Sequence, residues 1–469
     1  MAAVDGGEPL RLFVNGTAGS GKSYLINCLR KTMTERYSSQ AIEVCAPTGT
    51  AAFNISGKTI HSAFSLPVPL PMSTDLKPLS APSLLQLQER LGSVRLIIID
   101  EMSMIGRCML RCIDLRLREV NPHSNAAFGG LNIVLLGDFG QLPPVMDKVM
   151  FDKENKGSQL SKAGRETFLS FSKAVILTRV ERVQGDSDEQ TYFRDMLLRF
   201  RNGTVTQQDG EILATRLHAR LSEDERLSFD AAPFLVVTKQ DEMEFNLCKL
   251  QENPNPLFMF NAVHNPSSAA KATPEDAMGL QACVSLKINA KVMLRSNLWV
   301  AAGLTNGSIG TVHGFLFNPQ ETYANKSLPV AVCVNFDGYR GPAWHPDYPR
   351  VVPIPPITAK WMKGIHFQSR TQVPLSLAHA TTIHKSQGWT LDKVKVDIGN
   401  KEICRGISFV AFSRARSLRG LMVYPLKSTG ITFSRLDKVN SREIQRKRKE
   451  IDEYMARLAA NSDSSSPSL

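Results

Sequence analysis

The chain has 469 residues, of which 42% are hydrophobic and 21% charged, and its formal net charge is +12. This length is typical of about three domains with sizeable cores, and the positive charge favours either an acidic polymer as partner or simply a basic protein. No run of about 18 apolar residues occurs, which excludes a membrane-spanning helix, and the first ten residues lack the apolar core of a signal peptide.

The first part of the chain alternates strand and helix patterns. Apolar runs predict strands at LRLFVNG (10–16), IEVCAPTG (42–49), VRLIIIDE (94–101) and LNIVLLGD (131–138). Residues 21–37, GKSYLINCLRKTMTERY, have helical spacing. Unbroken apolar strands are typical of a parallel sheet that is covered on both faces. The pattern predicts an α/β fold, and we assign residues 1–175 to a first domain.

The remaining chain divides by composition. We expect a helical, charged connecting segment at 176–230, a second α/β domain at 231–430, and a small β insertion at about 315–375. Residues 431–469 are expected to form a basic helix and a disordered Ser-rich tail. Within that helix, QRKRKE (445–450) is a nuclear address, a phosphate patch or a solvated face, the last being favoured for a charge run taken alone. The eight cysteines complete no zinc-binding set, so we expect reduced thiols in an intracellular protein.

Residues 16–23, GTAGSGKS, match the phosphate-binding pattern G-x-x-x-x-G-K-[ST]. The match lies between a predicted strand and a predicted helix, which a merely flexible Gly/Ser loop would not require. Its glycines let backbone N–H groups face a phosphate, and the helix N-terminus adds partial positive charge. Lys22 is expected to reach the β- and γ-phosphates of ATP, and the Ser23 hydroxyl to bind Mg²⁺. The predicted nucleotide-binding residues are Gly16, Thr17, Ala18, Gly19, Ser20, Gly21, Lys22, Ser23 and Gly388.

Polar residues follow two further predicted strands. Asp100 and Glu101 end the run RLIIID, where ligands bind in open α/β sheets. We expect Asp100 to hold Mg²⁺ and Glu101 to polarise the attacking water, with a pair of solvated turn acids as the alternative. Gln141 follows the strand at 131–138 and is predicted to face the γ-phosphate. Because Pro143 and Pro144 stiffen the next segment, a shift of Gln141 would be transmitted outward.

Six segments, in this order, resemble the motifs of superfamily 1 DNA helicases. They are GTAGSGKS, APTGTAAFNISGKTIHSAF (46–64), IIIDEMSMI (97–105), FGGLNIVLLGDFGQLPPV (128–145), PLSLAHATTIHKSQGWTLD (374–392) and GISFVAFSRARSL (406–418). The sequences of these motifs are most similar to those of the PIF-type (petite integration frequency) family and, within it, to the helicases of Helitron transposons. The resemblance spans roughly residues 10–425.

This resemblance implies two RecA-like domains with parallel sheets and a small SH3-like β insertion in the second. It also implies ATP and Mg²⁺ in a cleft between the domains and 5′-to-3′ movement on single-stranded DNA, with unwinding of duplexes or junctions. Arg414 then corresponds to the family's arginine finger, which stabilises charge on the leaving γ-phosphoryl group, although a surface arginine is the alternative. Arg182 corresponds to a second arginine, and Val183 stands where the family has glutamine. The predicted catalytic residues are Lys22, Glu101, Gln141, Arg182 and Arg414.

The resemblance also indicates how DNA would be held, through phosphate contacts and stacking. Hydroxyl and basic side chains would bind phosphates, and Phe53 or Phe64 would stack on a base unless it belongs to the core. The predicted DNA-binding residues are Thr48, Thr50, Phe53, Lys58, His61, Thr382, His384 and Lys385. The family's adenine-contacting glutamine segment, upstream of the phosphate loop, has no counterpart here, so we expect weaker base selectivity and weaker ATP binding.

Three functions are consistent with these residues. The leading hypothesis is a monomeric ATP-dependent DNA helicase or translocase without a membrane partner, located in the nucleus, with the mitochondrion or cytoplasm as alternatives. A second is a DNA-stimulated ATPase that remodels protein–DNA complexes without unwinding. A third is a DNA-binding, catalytically weakened relic of a transposon helicase. The complete phosphate machinery argues against the third hypothesis, and Val183 argues for it.

Overall fold

The computed structural model describes residues 7–154, 157–178, 187–274, 276–318, 328–363, 366–426 and 433–463. The chain forms two compact units. The first unit comprises Met1–Ala232 and Ser386–Leu469, and the second unit comprises Pro233–Lys385. The second unit is therefore inserted in the sequence of the first. The predicted boundaries at 175, 230 and 430 stay predictions.

A six-stranded parallel sheet forms the centre of the first unit. Its order is β3-β2-β4-β5-β1-β6, and all five pairings between neighbouring strands are parallel. The strands are β1 Arg11–Gly16, β2 Ile42–Ala46, β3 Lys58–Thr59, β4 Leu96–Ile99, β5 Asn132–Gly137 and β6 Lys173–Leu177. Alternate residues face opposite layers: Ile97 and Ile99 join one apolar cluster, whereas Ile98 joins the other. The predicted α/β class with a parallel sheet covered on both faces is confirmed.

Helices cover this sheet, and several begin at a polar residue that caps them. The side chains of Ser158, Ser187, Thr206 and Ser222 each accept a hydrogen bond from a backbone N–H of the first turn, which satisfies a donor that the helix leaves unpaired. The α-helices of the first unit are α1 Lys22–Arg36, α2 Gly49–Asn54, α3 Ile60–Ala63, α4 Ala81–Leu91, α5 Arg107–Val120, α6 Gln159–Leu169, α7 Asp188–Asn202, α8 Gln207–Thr215, α9 Glu223–Leu227, α11 Ile407–Phe412, α12 Phe433–Leu436 and α13 Arg442–Asp463.

Shorter elements complete the first unit. Two strands, β19 Val394–Val396 and β20 Leu421–Val423, pair in parallel. The 3-10 turns are Ser39–Ala41, Met102–Met104, Ala127–Gly130, His218–Arg220 and Asp437–Val439. The C-terminal helix α13 packs on the core through Ile451 and Met455, and the ring of Tyr454 lies 5.6 Å from that of Phe168. The basic helix predicted at the C-terminus is thus amphipathic and anchored.

The second unit combines one helix with mostly antiparallel strands. Helix α10 is Lys239–Glu252, and the strands β7 and β18 pair in parallel. The other strands form antiparallel sheets of order β14-β13-β12-β11-β17, β15-β16-β9 and β10-β8. The strands are β7 Phe234–Val236, β8 Phe258–Asn261, β9 Val263–Asn265, β10 Cys283–Leu286, β11 Lys291–Leu294, β12 Ile309–Leu316, β13 Ala331–Phe336, β14 Val351–Ile354, β15 Ile357–Lys363, β16 His366–Gln372, β17 Leu375–Leu377 and β18 Ala380–Thr382. The 3-10 turns are Ser267–Lys271, Val300–Ala302 and Ile383–Ser386.

The antiparallel strands begin at Phe258, ahead of the insertion that we expected at about 315–375. Their shared core includes Val292, Val312 and Phe336, which lie on three adjacent strands of the five-stranded sheet. The SH3-like character of this region stays a prediction. Among the described residues, no helix is both long and apolar enough to span a bilayer, and all eight cysteines are free thiols.

A close approach of α5 and α6 gives a test of this packing. A Cβ on Gly164 would lie 2.0 Å from the carbonyl oxygen of Arg107, far inside van der Waals contact. We expect Gly164→Ala to lower the free energy of unfolding by about 1–3 kcal/mol, because the two helices must separate. Urea unfolding measures the change. Gly7→Ala is the control, since nothing lies within 4 Å of a Cβ there. Equal stability of the two variants would contradict this packing.

Candidate nucleotide-binding site

The phosphate loop connects β1 to α1 through a tight curl. Gly19 and Gly21 have φ angles of 83° and 85°, which glycine adopts without strain. The Lys22 ammonium donates hydrogen bonds to the carbonyl oxygens of Gly16 at 2.7 Å and of Thr17 at 2.8 Å. These contacts close the loop on itself, so that the first turn of α1 faces the space above the sheet. A helix N-terminus in this position attracts anions.

A cavity of about 690 Å³ opens above this loop, within the first unit. Its wall combines the loop and α2 with the ends of two central strands, with α7, and with the chain that returns after the second unit. The lining residues are Ala18, Gly19, Ser20, Gly21, Lys22, Ser23, Tyr24, Ala51, Asn54, Ile55, Asp100, Glu101, Gln141, Gln190, Gly388, Thr390, Arg414, Arg416 and Ser417. The structure thus brings together most of the residues predicted to bind the nucleotide or to act on it.

Asp100 and Glu101 lie directly beyond β4. Asp100 is 7% exposed, and its Oδ1 atom has no hydrogen-bond partner in the described part of the chain. Burial and, to a smaller extent, the negative charge of Glu101 together raise the pKa of Asp100 to about 7, against the opposing charge of Lys22. Glu101 has a φ of 54°, a left-handed conformation that costs about 1–3 kcal/mol for a non-glycine residue. Strain and burial together indicate that this pair is held for a purpose other than stability.

Gln387 joins Glu101 to Gln141, and our sequence analysis missed it. It is 3% exposed, and its Nε2 atom lies 3.2 Å from Glu101 Oε2, 3.5 Å from Ser103 Oγ and 3.5 Å from Gln141 Oε1. Its Oε1 atom has no partner among the described residues. The signal was present, because Gln387 precedes Gly388 within the quoted HKSQG segment.

Two arginines line the cavity from the part of the first unit that follows the second unit in the sequence. Arg414 is 1% exposed and donates to the carbonyl oxygens of Val410 at 2.9 Å and Trp389 at 3.1 Å. Arg416, which the sequence analysis did not select, is more exposed and forms an ion pair with Asp392 at 2.9 Å. Arg416 lies two residues after Arg414 in the SRAR segment, so the same segment carried the signal for it. Arg182 and Val183 lie outside the described residues.

The turn that carries Gln141 is fixed by a buried ion pair. Asp138 Oδ1 accepts hydrogen bonds from the N–H of Gly140 at 2.7 Å and from Arg201 Nε at 3.0 Å. Burial alone would raise the pKa of Asp138, but the charge and hydrogen bonds of Arg201 outweigh it and lower this pKa below its usual value. Neither residue was selected from the sequence, where they are 63 positions apart.

The predicted DNA-binding residues of the first unit have varied surroundings. Thr48 caps α2, where its hydroxyl oxygen accepts from the N–H of Ala51 at 3.2 Å. Lys58 forms an ion pair with Glu43 at 2.9 Å. Thr50, Phe53 and His61 are half-buried, and His61 Nδ1 has no partner in the described chain. Phe64 is 0% exposed in the core, so the alternative that it stacks on a base is wrong.

The other predicted DNA-binding residues belong to the second unit. Thr382 ends β18 and is buried. Lys385 forms an ion pair with Glu242 of α10 at 2.7 Å. Burial lowers the pKa of His384, which favours its neutral form.

A phosphate loop after the first strand of a parallel sheet, with two carboxylates at the end of a strand one place removed from it, defines a P-loop nucleotide-binding protein. Residues 1–211 match the PIF1-like helicase family. The chain is 30% identical over 417 residues to the ATP-dependent DNA helicase Pif1 of Bdellovibrio bacteriovorus, with 87% of this chain and 83% of that protein covered. The chain belongs to the PIF1-like helicase family, which confirms the resemblance to PIF-type helicases.

Two further comparisons extend this result. The chain is 31% identical over 438 residues to human ATP-dependent DNA helicase PIF1, with 88% of this chain and 58% of that protein covered. It therefore spans less than two thirds of that relative's length. The crystal structure of Bacteroides Pif1 in complex with ADP-AlF3 and single-stranded DNA has a TM-score of 0.66 and 26% identity, with 95% of this chain and 94% of that chain covered.

The Asp138–Arg201 pair predicts how stability depends on pH. The pKa of Asp138 is lower in the folded than in the unfolded protein, so the pair stabilises the fold above pH about 4 and this contribution is lost as pH falls through the folded-state pKa. We expect Asp138→Asn to flatten the decline of the unfolding free energy below pH 4. Urea unfolding at several pH values measures it. Asp195→Asn, on the exposed face of α7, is the control, and an identical decline in both variants would contradict the assignment.

Proposed function

We propose that this protein is an ATP-dependent DNA helicase or translocase that hydrolyses ATP in the cavity above the phosphate loop and moves 5′ to 3′ on single-stranded DNA. The observation that carries the proposal is the convergence of Lys22, Asp100, Glu101, Gln141 and Arg414 on one cavity. The names of the human and Bdellovibrio relatives support it, as does the Bacteroides complex with ADP-AlF3 and single-stranded DNA.

The phosphates of ATP would lie over the N-terminus of α1, with the Lys22 ammonium exchanging its carbonyl partners for phosphate oxygens. Asp100 and the Ser23 hydroxyl would hold Mg²⁺. The buried, unpartnered Oδ1 of Asp100 suits this ion, which takes oxygen ligands and needs few from the protein. No group of three acidic, His or Cys residues forms a metal site in the described chain, so phosphate and water oxygens would complete the ligand set. When bound, Mg²⁺ supplies charge neutralisation at the phosphates.

Glu101 and Gln387 would prepare the attacking water. The Glu101 carboxylate accepts a hydrogen bond from Gln387, which orients it towards the cavity and leaves its other oxygen to accept a proton from water. Gln141 is held by the same amide at 3.5 Å, so its own amide is positioned beside the same water. A neutral amide here can donate to the phosphate and accept from the water.

Arg414 would stabilise the charge that develops on the γ-phosphoryl group as it leaves. Its guanidinium donates to the carbonyl oxygens of Val410 and Trp389 and to the hydroxyl of Ser413. These hydrogen bonds hold the guanidinium in place at the wall of the cavity, where a preorganised positive charge stabilises developing negative charge strongly.

Single-stranded DNA would be held by the two hydroxyl-rich and basic segments at 48–61 and 382–385. Lys58 and Lys385 are paired with Glu43 and Glu242, and DNA phosphates would compete with these carboxylates for the lysines. The net charge of +12 supports attraction of the protein to the DNA strand.

We also propose that the protein acts as a monomer in the nucleus, in DNA repair, recombination and telomere maintenance. Light scattering can test the monomeric state, and microscopy of a tagged protein can test the nuclear location.

The catalytic assignment predicts different effects for two substitutions. Lys22→Ala should abolish ATP binding, because the phosphate charge loses its partner. Glu101→Gln should lower the rate of hydrolysis by about 100- to 10,000-fold while ATP still binds, because only the proton acceptor is lost. Hydrolysis with and without single-stranded DNA, together with binding of a fluorescent ATP analogue, measures both effects.

The control for these variants is Glu89→Gln, a substitution on the exposed surface of α4 that should keep full activity. Hydrolysis that single-stranded DNA does not stimulate would overturn the motor assignment in favour of the relic. Stimulated hydrolysis without strand displacement from a forked duplex would instead support the remodelling ATPase.

The DNA assignment predicts a change in salt dependence. Lys385→Ala should weaken binding to single-stranded DNA and reduce the slope of log K against log salt by about 0.7, because one phosphate contact is lost. Lys249→Ala is a matched control, since Lys249 of the same unit also pairs with a glutamate, Glu252, at 2.6 Å. Fluorescence anisotropy at several salt concentrations measures both slopes. An equal slope for the two variants would remove Lys385 from the DNA contact.

A further inference from the structure

The turn that carries Gln141 separates two cavities of the first unit. Gln141 lines the nucleotide cavity on one side and a second cavity, of about 650 Å³, on the other. The wall of the second cavity opposite this turn includes Ile444, Lys447 and Arg448 of the C-terminal helix α13. The turn therefore has the nucleotide cavity on one side and, on the other, the second cavity with α13 as its opposite wall.

Arg448 makes the central contact between α13 and this turn. It is 7% exposed, and its guanidinium donates to the carbonyl oxygen of Phe139 and, at 2.7 Å, to that of Gly140. Its Nε atom donates to the carbonyl oxygen of Arg201 at 3.2 Å. One planar group thus holds the two consecutive carbonyls that immediately precede Gln141. The fork geometry of arginine permits this, and the single ammonium group of lysine does not reproduce it.

Arg201 holds the same turn from its other end. It donates to Asp138 Oδ1 at 3.0 Å and to Asp452 of α13 at 3.3 Å. The cluster therefore contains two cations, Arg201 and Arg448, and two anions, Asp138 and Asp452. Asp138, Arg201 and Arg448 are buried, and buried charges rarely stabilise a fold more than apolar residues of similar size would, so we ascribe to these three a role in fixing the geometry of the turn.

The turn also abuts the start of helix α11. Gly406 has a φ of 79° and caps this helix, and a Cβ there would lie 2.7 Å from the carbonyl oxygen of Gly140. Arg414 follows shortly after the end of α11 and lines the nucleotide cavity. The same carbonyl oxygen of Gly140 is thus held by Arg448 and packed against the helix that leads to Arg414.

We propose that Arg448 is a positioning residue for Gln141, and that α13 is thereby part of the apparatus that senses the γ-phosphate. This inference rests on the proposed ATPase function. It also changes the interpretation of the QRKRKE run: Arg448 is committed to the interior and does not contribute to a nuclear address or a surface phosphate patch.

Arg448→Lys tests the inference, because it keeps the charge and the alkyl chain but loses the fork. We expect kcat for DNA-stimulated ATP hydrolysis to fall about 10- to 100-fold, since misplacement of a catalytic group by about 1 Å has effects of this size. KM for ATP should change less than twofold, and the unfolding midpoint should stay close to that of the wild type. Lys449→Ala is the control, because that neighbouring side chain is 79% exposed.

A double variant separates positioning from general stability. If Arg448 acts through Gln141, then Arg448→Lys combined with Gln141→Ala should hydrolyse ATP as slowly as Gln141→Ala alone. Multiplied losses would show that Arg448 supports the fold and would overturn the inference. If Arg448→Lys does not fold, Asp452→Asn replaces it, because this substitution removes the partner of Arg201 on α13. We expect Asp452→Asn to lower kcat by a smaller factor, and to cause no further loss when it is combined with Gln141→Ala.

The two levels of proposal fail in different ways. A wild-type protein without any ATP hydrolysis would overturn the proposed function and the inference together. An active wild-type protein whose Arg448→Lys variant keeps full kcat would overturn the inference alone.

Discussion

Three neighbouring strands, β4, β5 and β1, end at the same edge of the parallel sheet, and this pairing is the constraint on which the site depends. The register places Asn15 opposite Gly137 and Ile99 opposite Leu135, so that the phosphate loop, Asp100 and the Asp138–Gln141 turn emerge side by side. Each strand is buried on both faces, which leaves no freedom for a register shift that would move one end away from the others. The order of the strands, rather than any single contact, therefore determines which side chains meet.

This constraint explains what could be predicted from the sequence. Lys22, Asp100, Glu101 and Gln141 each lie at or just beyond a strand end, and the strands themselves are short apolar runs. Local sequence patterns were therefore sufficient to select these four residues as candidates for the site. Gln387 and the pair of Asp138 with Arg201 depend on contacts between distant segments, for which no local pattern exists. Gln387 and Glu101, for example, are 286 positions apart.

At two further positions, helical periodicity carried information that residue type alone did not. Within the charge run at 445–450, Arg446 and Lys449 are exposed, as a solvated face requires, whereas Arg448 recurs at helical spacing with Ile444, Ile451 and Met455 and is buried with them. Phe64, for which stacking on a base and a place in the core were both open, follows Ile60 at the same spacing and belongs to the core with it. In both segments, the helical period distinguishes buried from exposed residues better than residue type does.

The order of the chain supplies a direct link between the predicted DNA contacts and the chemistry. Ser386 alone stands between Lys385, a predicted phosphate ligand, and Gln387, which donates to Glu101. Ile383–Ser386 is a 3-10 turn, whose backbone hydrogen bonds make it stiffer than an open loop. A predicted phosphate ligand and a residue that contacts Glu101 are thus close neighbours in the chain. The hydrogen bond between Gln387 and Glu101 is 3.2 Å long, and its strength depends steeply on alignment. The position of Glu101 therefore depends on the segment that follows Ser386, whose place beside Glu101 no local sequence pattern specifies.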